Sequence, residues 1–228
     1  HAMCVFEQIY FARPDSILNG ELAYETRQRL GAEVYREHPV DADIVVGIPD
    51  SSTPHAVGLA AEAQIPYTEA IIRNRYVGRT FIQPDQRSRD QGVQTKFNPM
   101  RGVISGKRIL VVDDSVVRST TITRVIKMLR RAGAKEIHVR VASPPIKSTC
   151  HLGVDMATLN ELIAANKTVA EITEYIDADS LAYLSVKGLL RAVRAPENSY
   201  CTGCFTGNYP IPVQLEMNKM RFELASNT

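Results

Sequence analysis

The sequence lacks several features that would assign it to a specialised class of protein. Its 228 residues include no Trp and only 4 Cys, and the formal net charge is +2. So small a net charge gives no electrostatic argument for a nucleic-acid partner. No apolar run reaches the roughly 18 residues that span a bilayer, and the amino terminus has no signal-peptide pattern. We therefore expect a cytoplasmic protein without a membrane or nucleic-acid partner.

What is present is an ordinary globular composition, with 44% hydrophobic and 23% charged residues. Short apolar or alternating runs predict strands, and apolar residues at helical spacing predict helices. The predicted strands are residues 44–48, 109–112 and 137–141, and the predicted helices are residues 52–63 and 122–129. Strands that alternate with helices favour an α/β fold, with a mostly parallel sheet flanked by helices.

Signals at the ends of elements refine this pattern. Pro54 follows hydroxyl residues and predicts a capped helix start, and Gly133 predicts the end of the helix before it. Two capping-box sequences, Thr158-x-x-Glu161 and Thr168-x-x-Glu171, predict the starts of two short helices. One long non-periodic stretch, residues 74–106, is rich in Arg, Gln and Gly. A loop of that length is typical of an active-site lid or a disordered segment.

Two adjacent acids, Asp113 and Asp114, follow the apolar run Ile109–Val112. Neighbouring carboxylates repel and are costly to desolvate, so a ligand at this point is expected. Ligands bind at the carboxyl ends of strands in open α/β sheets, and the next helix start favours a phosphate. The stretch therefore offers acids for a metal or sugar hydroxyls beside a phosphate site. The alternative is a solvated strand end, with Ser119 as a helix cap.

A second strand–turn–helix unit has the turn Pro49-Asp50-Ser51-Ser52. Its main-chain N–H groups and hydroxyls could hold a second phosphate group, although such a turn is also common without a ligand. The basic segment 71–102 follows it. From composition alone, that segment is either a lid that closes over a polyanion or a solvated loop.

The stretch ILVVDDSVVRSTT at residues 109–121 resembles the phosphoribosyl-pyrophosphate (PRPP) signature of type I phosphoribosyltransferases. The resemblance implies that Asp113 and Asp114 are the catalytic acids, lying against the ribose hydroxyls with Mg²⁺ nearby. It implies that the 5′-phosphate is held by Arg118, Ser119, Thr120 and Thr121. The family usually has Gly where this chain has Ser119. Because Gly adopts positive φ more easily than Ser, phosphate affinity is the property that this departure affects.

Further segments resemble, in the same order, the glutamine PRPP amidotransferase family over residues 4 to about 210. They include CVFEQIYFARPDS, NRYVGRTFIQP, YLSVKGLL and CTGCFTGNYP. The resemblance implies Mg²⁺-dependent phosphoribosyl transfer from PRPP to ammonia, giving 5-phosphoribosylamine in the first step of de novo purine biosynthesis. It implies pyrophosphate and lid contacts at Asp50, Ser51, Ser52, Arg75, Tyr76, Arg79 and Lys96. Ser51 then joins Asp113 and Asp114 around Mg²⁺.

The same resemblance suggests how the chain is organised. We expect a cloning remnant and start Met at residues 1–3, a phosphoribosyltransferase domain at 4–194, and a Cys-containing segment packed on it at 195–228. Family members carry an amino-terminal glutaminase domain that is not found in this sequence. Ammonia is therefore expected from solvent or from a separate glutaminase, and a homo-oligomer is expected. Cys4 is not read as the glutaminase nucleophile, because the residues after it match the internal CVFE segment.

The four cysteines are Cys4, Cys150, Cys201 and Cys204. Only Cys201 and Cys204 have the local spacing of metal ligands, and spacing alone leaves zinc, an iron–sulfur centre and buried thiols open. The family resemblance implies that all four ligate a structural 4Fe–4S cluster, with zinc as the alternative.

Three other functions share parts of this pattern. A base-salvage phosphoribosyltransferase would have the same PRPP loop but need a base pocket, and some such enzymes have an acid where this chain has Val117. A regulator that binds PRPP or nucleotide without catalysis would need a DNA-binding segment. A Cys₄ structural module with a vestigial PRPP site is the third, and Ser119 is the best evidence for it. His38, His55 and His138 are interpreted as structural.

Overall fold

The computed structural model describes residues 2–74, 97–156, 158–194 and 199–213. The strands in chain order are β1 Met3–Cys4, β2 Ile17–Leu18, β3 Glu21–Leu22, β4 Ile44–Gly47, β5 Ile71–Arg73, β6 Phe97–Pro99, β7 Arg108–Asp113, β8 Glu136–Val141, β9 Ser180–Tyr183 and β10 Tyr200–Cys201. The α-helices are α1 Ala23–Glu37, α2 Thr53–Ala63, α3 Arg101–Ile104, α4 Thr120–Arg131, α5 Ile163–Asn166, α6 Val169–Ile176, α7 Val186–Ala192 and α8 Gly203–Thr206. A π-helical turn spans Glu7–Phe11 and a 3₁₀-helix spans Leu159–Glu161.

The central sheet has four parallel strands in the order β4-β7-β8-β9. One row of its register runs from Val46 through Val111 and Val139 to Leu181. Because the strands are parallel, their carboxyl ends meet at one edge, which we call the carboxyl edge. The three strands and two long helices expected from the sequence are confirmed to within one or two residues.

The sheet is covered by helices on both faces, as the α/β prediction requires. One apolar layer joins the sheet to α1, α2 and α7, and the other joins it to α4 and α6. Leu110 and Val111 are both fully buried but belong to opposite layers, since successive side chains of a strand point to opposite faces. Each fully buried aliphatic side chain contributes about 1.5–3 kcal/mol, so these two layers hold the carboxyl edge in place.

Two glycines allow α1 and α2 to cross at close range. A Cβ atom at Gly31 would lie 1.9 Å from the main-chain oxygen of His55, and one at Gly58 would lie 2.0 Å from that of Gln28. These distances are far below van der Waals contact, so any side chain at either position would push the helices apart. The crossing holds α2, and with it the turn that precedes α2, against the sheet.

The capping boxes behave differently from one another. Thr168 and Glu171 open α6 as expected, with hydrogen bonds in both directions. Thr158 opens only the single 3₁₀ turn that ends at Glu161, because the chain becomes extended again at Leu162, where ψ is 108°. The expected short helix after Thr158 is therefore confirmed, as a 3₁₀ turn instead of an α-helix.

The two ends of the described chain lie together. Strand β1 pairs in parallel with β10, which places Cys4 beside Cys201 in register. The N–H groups of Lys147 and Ser148 both donate to the carbonyl of Cys204, at 2.9 and 3.0 Å. Three distant parts of the sequence thus meet around the cysteines. No helix in the described ranges is long and apolar enough to cross a membrane.

Candidate functional site

The two acids of the opening motif lie at the carboxyl edge, where β7 ends. Asp113 is 8% exposed and Asp114 is 4% exposed, so the alternative of a solvated strand end is wrong. The Ser52 hydroxyl lies 3.0 Å from Asp113 Oδ1 and 3.2 Å from Asp114 Oδ2, and it accepts the Asp114 N–H at 3.0 Å. Its single proton can serve only one carboxylate at a time.

Ser52 also corrects the prediction of a hydroxyl cap on α2. It occupies the N-cap position of that helix but makes no side-chain capping hydrogen bond within the described structure. The reason is that its hydroxyl is already engaged by the two acids. The contact joins the turn after β4 to the end of β7, so both predicted phosphate-binding turns belong to one site.

The surroundings of Asp113 and Asp114 disfavour the charged form of both carboxylates. Burial raises the pKa of Asp113 well above its usual value, and the neighbouring charge of Asp114 raises it further. Burial also raises the pKa of Asp114, against hydrogen bonds from the hydroxyls of Ser51, Ser115 and Ser52. In the described part of the chain, no Lys or Arg hydrogen-bonds to either acid. A bound divalent cation, or a set of sugar hydroxyls that donate hydrogen bonds, would stabilise the two buried negative charges.

The loop after the acids leads directly into α4. Ser119 occupies the N-cap position with φ 61° and ψ −8°, which is left-handed backbone. Gly is favoured in this conformation. The family's usual Gly is therefore replaced by Ser at a position where the backbone conformation favours Gly. The Ser119 hydroxyl makes no capping bond to the described chain and donates instead to the Arg118 carbonyl at 2.5 Å. The N–H groups at the start of α4 therefore remain available for an anion.

The remaining predicted site residues divide into three groups. Thr120 and Thr121 are exposed in the first turn of α4, beside the loop. Asp50 accepts a hydrogen bond from Arg73 at 2.9 Å. The last group lies outside the described residues and comprises Arg75, Tyr76, Arg79 and Lys96.

Two hydroxyls at the carboxyl edge were not predicted. Tyr183 ends β9, and the register places it across Val141 from Asp113. Its hydroxyl and that of Ser143 are buried without a described hydrogen-bond partner. Burial raises the pKa of Tyr183, and the charge of Asp113 adds to the shift. The only available signal was a hydroxyl residue at the end of a strand, which is too common to be specific.

His55, interpreted as structural from the sequence, has unusual surroundings. It is fully buried, and neither ring nitrogen makes a hydrogen bond of ordinary geometry to the described residues, although a contact with the Ser51 main chain opposes the lowering of its pKa. Burial, and then the charge of Arg27, lowers the pKa of His55 to about 3, so the ring is neutral at physiological pH. Arg27 itself donates to the carbonyls of Gln8 and Ala12 at 3.0 and 2.7 Å, which ties the amino-terminal segment to α1.

The four cysteines are free thiols that lie near one another. Burial, together with the charges of Cys4, Cys201 and Cys150, raises the pKa of Cys204 to about 12. Yet no group of three or more His, Cys, Asp or Glu side chains in the described ranges could hold a metal ion. The structure thus gathers the predicted ligands without the spacing of a single-ion site.

Comparisons with known proteins agree with this geometry. The family model described as the phosphoribosyl transferase domain matches residues 14–147. The chain is 49% identical to the amidophosphoribosyltransferase of Synechococcus elongatus over 226 residues, covering 99% of this chain and 46% of that protein. It is 54% identical to the amidophosphoribosyltransferase of Pyrococcus horikoshii over 210 residues, covering 92% of this chain and 46% of that protein. The chain therefore spans about half the length of these curated relatives.

A solved structure is similar over the same region. The glutamine PRPP amidotransferase from B. subtilis, complexed with ADP and GMP, superposes with a TM-score of 0.86 and 47% identity. The match covers 94% of this chain and 48% of that one. Together with the family match over residues 14–147, this confirms the expected fold and resemblance: the chain belongs to the phosphoribosyl transferase domain family.

Proposed function

We propose that this chain carries out phosphoribosyl transfer from PRPP to ammonia, giving 5-phosphoribosylamine and pyrophosphate. The observation that carries the proposal is the buried pair Asp113 and Asp114, bridged by Ser52 at the carboxyl edge. Beside it, α4 presents its amino terminus after a left-handed Ser119. Acids for a ribose and N–H groups for a phosphate at one edge fit a phosphorylated sugar.

The donor set also fits the metal that phosphoribosyl transfer uses. Asp113 and Asp114 supply carboxylate oxygens, the ligands that Mg²⁺ prefers, and the Ser51 hydroxyl lies close enough to lower the pKa of Asp114. These three residues would hold Mg²⁺ together with oxygens of PRPP. When bound, Mg²⁺ would neutralise charge that develops on the pyrophosphate leaving group.

The residues of the chain contribute to the reaction by positioning PRPP. Asp113 and Asp114 hold the ribose hydroxyls, and the first turn of α4 holds the 5′-phosphate, so the C1′–pyrophosphate bond faces the second turn at residues 49–52. That bond breaks with its electron pair on pyrophosphate, ammonia nitrogen bonds to C1′, and one proton leaves the nitrogen. Ammonia that arrives unprotonated needs no general base, so no catalytic histidine is required.

The proposal is tested by measuring PRPP consumption and pyrophosphate release with Mg²⁺ and ammonium chloride across a range of pH. We expect the rate to rise with pH, because more free ammonia is present. Equal rates with glutamine and ammonia, in a preparation free of other glutaminases, would contradict ammonia dependence in this chain. Consumption of PRPP only with a free purine or pyrimidine would support the base-salvage alternative instead.

We also propose that Cys4, Cys150, Cys201 and Cys204 hold a structural 4Fe–4S cluster. In such a cluster each thiolate binds its own iron, so the sulfurs lie farther apart than around one zinc ion. That difference agrees with four gathered thiols that lack single-ion spacing. The domain boundaries at 4–194 and 195–228 are part of this proposal, since β10 brings the second segment onto β1.

The cluster has a direct chemical test. Protein purified without oxygen should be brown and contain about four irons per chain, and it should lose colour and thermal stability together in air. Cys201→Ser should lower the unfolding temperature more than it lowers PRPP affinity, because no cysteine is among the described hydrogen-bond partners of the acids. Bound zinc, or four free thiols in a fully stable protein, would contradict the cluster.

A further inference from the structure

An ion pair connects the predicted phosphate loop to the segment that follows β8. Arg118 Nε lies 3.1 Å from Glu161 Oε1, and Arg118 Nη2 lies 3.4 Å from Glu161 Oε2. The main chain reinforces the contact, since the N–H of Ile163 donates to the carbonyl of Val117 at 3.0 Å. The guanidinium expected to bind the 5′-phosphate is therefore already engaged by a carboxylate.

Glu161 is itself held in position by a second set of contacts. Its Oε2 accepts the N–H of Thr158 at 3.1 Å and the Thr158 hydroxyl at 3.2 Å. The hydrogen bond from the Thr158 main chain, with other contacts, lowers the pKa of Glu161. A fixed negative charge therefore stands beside a loop that is proposed to receive a phosphate.

We propose that Glu161 competes with the 5′-phosphate for Arg118, so that phosphate binding transfers the guanidinium from Glu161 to the ligand. The inference rests on the proposed function, because it takes the loop as the phosphate site. Side-chain exposures of 53% for Arg118 and 47% for Glu161 mean that the pair is weak and easily displaced. A phosphate dianion binds a guanidinium group through bidentate hydrogen bonds, and more strongly than an exposed carboxylate does.

The chain contains a matched control for this idea. Glu171 stands in the same capping-box relation to Thr168, whose N–H and hydroxyl it accepts at 2.7 and 2.8 Å. Within the described ranges, Glu171 forms no ion pair with an arginine. Glu161→Gln and Glu171→Gln therefore make the same chemical change in two capping boxes, and only the first releases Arg118.

The test is isothermal titration of each variant with PRPP in the presence of Mg²⁺, together with steady-state kinetics. Glu161→Gln should bind PRPP about two- to fivefold more tightly, the range that an exposed ion pair is worth. KM should fall with kcat unchanged, since the phosphate is remote from the reacting bond. Glu171→Gln should match the parent. In an Arg118→Ala background, Glu161→Gln should have no effect, because its partner is gone.

The outcomes separate this inference from the proposed function. Unchanged or weaker PRPP binding by Glu161→Gln, with normal binding by the parent, would overturn the competition alone; weaker binding would show that Glu161 pre-positions Arg118 for the ligand. The same gain in the Arg118→Ala background would also overturn it. A folded parent that binds no PRPP would overturn both this inference and the proposed function.

Discussion

Acidic side chains lie at both edges of the central sheet, and their pKa values are shifted in opposite directions at the two edges. At the amino edge, Asp43 accepts hydrogen bonds from the Arg108 N–H and from its Nη2, each at 2.8 Å. The Arg108 side chain lowers the pKa of Asp43 to about 2. At the carboxyl edge, Asp113 and Asp114 are buried without such a partner, and burial raises the pKa of both.

The contrast separates charges that stabilise the fold from charges that are available to a ligand. The carboxylate of Asp43 is already hydrogen-bonded to an arginine of the neighbouring strand, so few of its lone pairs are free to bind a substrate. Two buried acids that are held by serine hydroxyls and a main-chain N–H, without a cation hydrogen-bonded to them in the described chain, gain by meeting a cation. Whether an acid precedes or follows a strand of this sheet thus indicates whether it stabilises the fold or is available to a ligand.

The largest expected effect comes from removing charge at the carboxyl edge. Asp113→Asn combined with Asp114→Asn should lower the rate of PRPP turnover by roughly a hundredfold or more, because metal binding and ribose positioning both fail. The unfolding temperature should stay at or above that of the parent, because two buried like charges are removed. Kinetics and thermal unfolding on the same samples check both parts.

A control for this double variant is Asp15→Asn, which changes an exposed acid paired with Arg13. It should leave both turnover and unfolding temperature unchanged. Normal turnover by the double variant would show that the carboxyl edge is not the reaction site. A large drop in its stability would show that the two acids are structural.

The amino edge should show the opposite behaviour. Asp43→Asn should lower the unfolding temperature at neutral pH without changing turnover per folded molecule. A pKa lowered by folding contributes stability above the unfolded value of 3.8, and that stability is lost as pH falls toward 2. The difference between parent and variant should therefore be constant above about pH 5 and shrink below it. A pH-independent difference would assign the effect to lost hydrogen bonds alone.

The smallest expected effect concerns Ser119. Ser119→Gly should remove strain at φ 61° and raise the free energy of unfolding by up to about 1 kcal/mol. It should also lower KM for PRPP with kcat unchanged, because the phosphate is bound equally in ground and transition states. Kinetics and chemical denaturation measure the two effects.

Gln64→Gly is the matched control, since Gln64 also has a positive φ of 57° but ends α2, remote from the acids. It should show the stability gain without the change in KM. Weaker PRPP binding by Ser119→Gly would instead mean that the Ser119 hydroxyl is a phosphate donor.

The sequence predicted three of the four strands of the central sheet and the helices α2, α4 and α6, whose buried faces are apolar, and it led to no prediction for β9 or α7. It missed α1, the longest helix described, because the buried side of α1 includes Thr26 and Arg27 as well as Leu30. Apolar periodicity fails where a buried position is polar and is satisfied by contacts from elsewhere. In α1 those contacts come from the carbonyls of the amino-terminal segment.

The candidate site was predictable only where its residues are adjacent in sequence. Asp113 and Asp114 stand out as a pair after an apolar run, and resemblance to a known signature strengthened the hypothesis. Their contact with Ser52, 61 residues away from Asp113, depends on the pairing of β4 with β7. The pairing of Arg118 with Glu161 likewise depends on how the segment after β8 returns to the loop.

The central claim is that Asp113 and Asp114 at the carboxyl edge form the PRPP site. Isothermal titration of PRPP into the folded parent and into the Asp113→Asn, Asp114→Asn double variant, each with and without Mg²⁺, tests it most directly. We predict saturable binding to the parent that Mg²⁺ strengthens, and a loss of that strengthening in the double variant. Equal Mg²⁺-dependent binding by both proteins would contradict the claim.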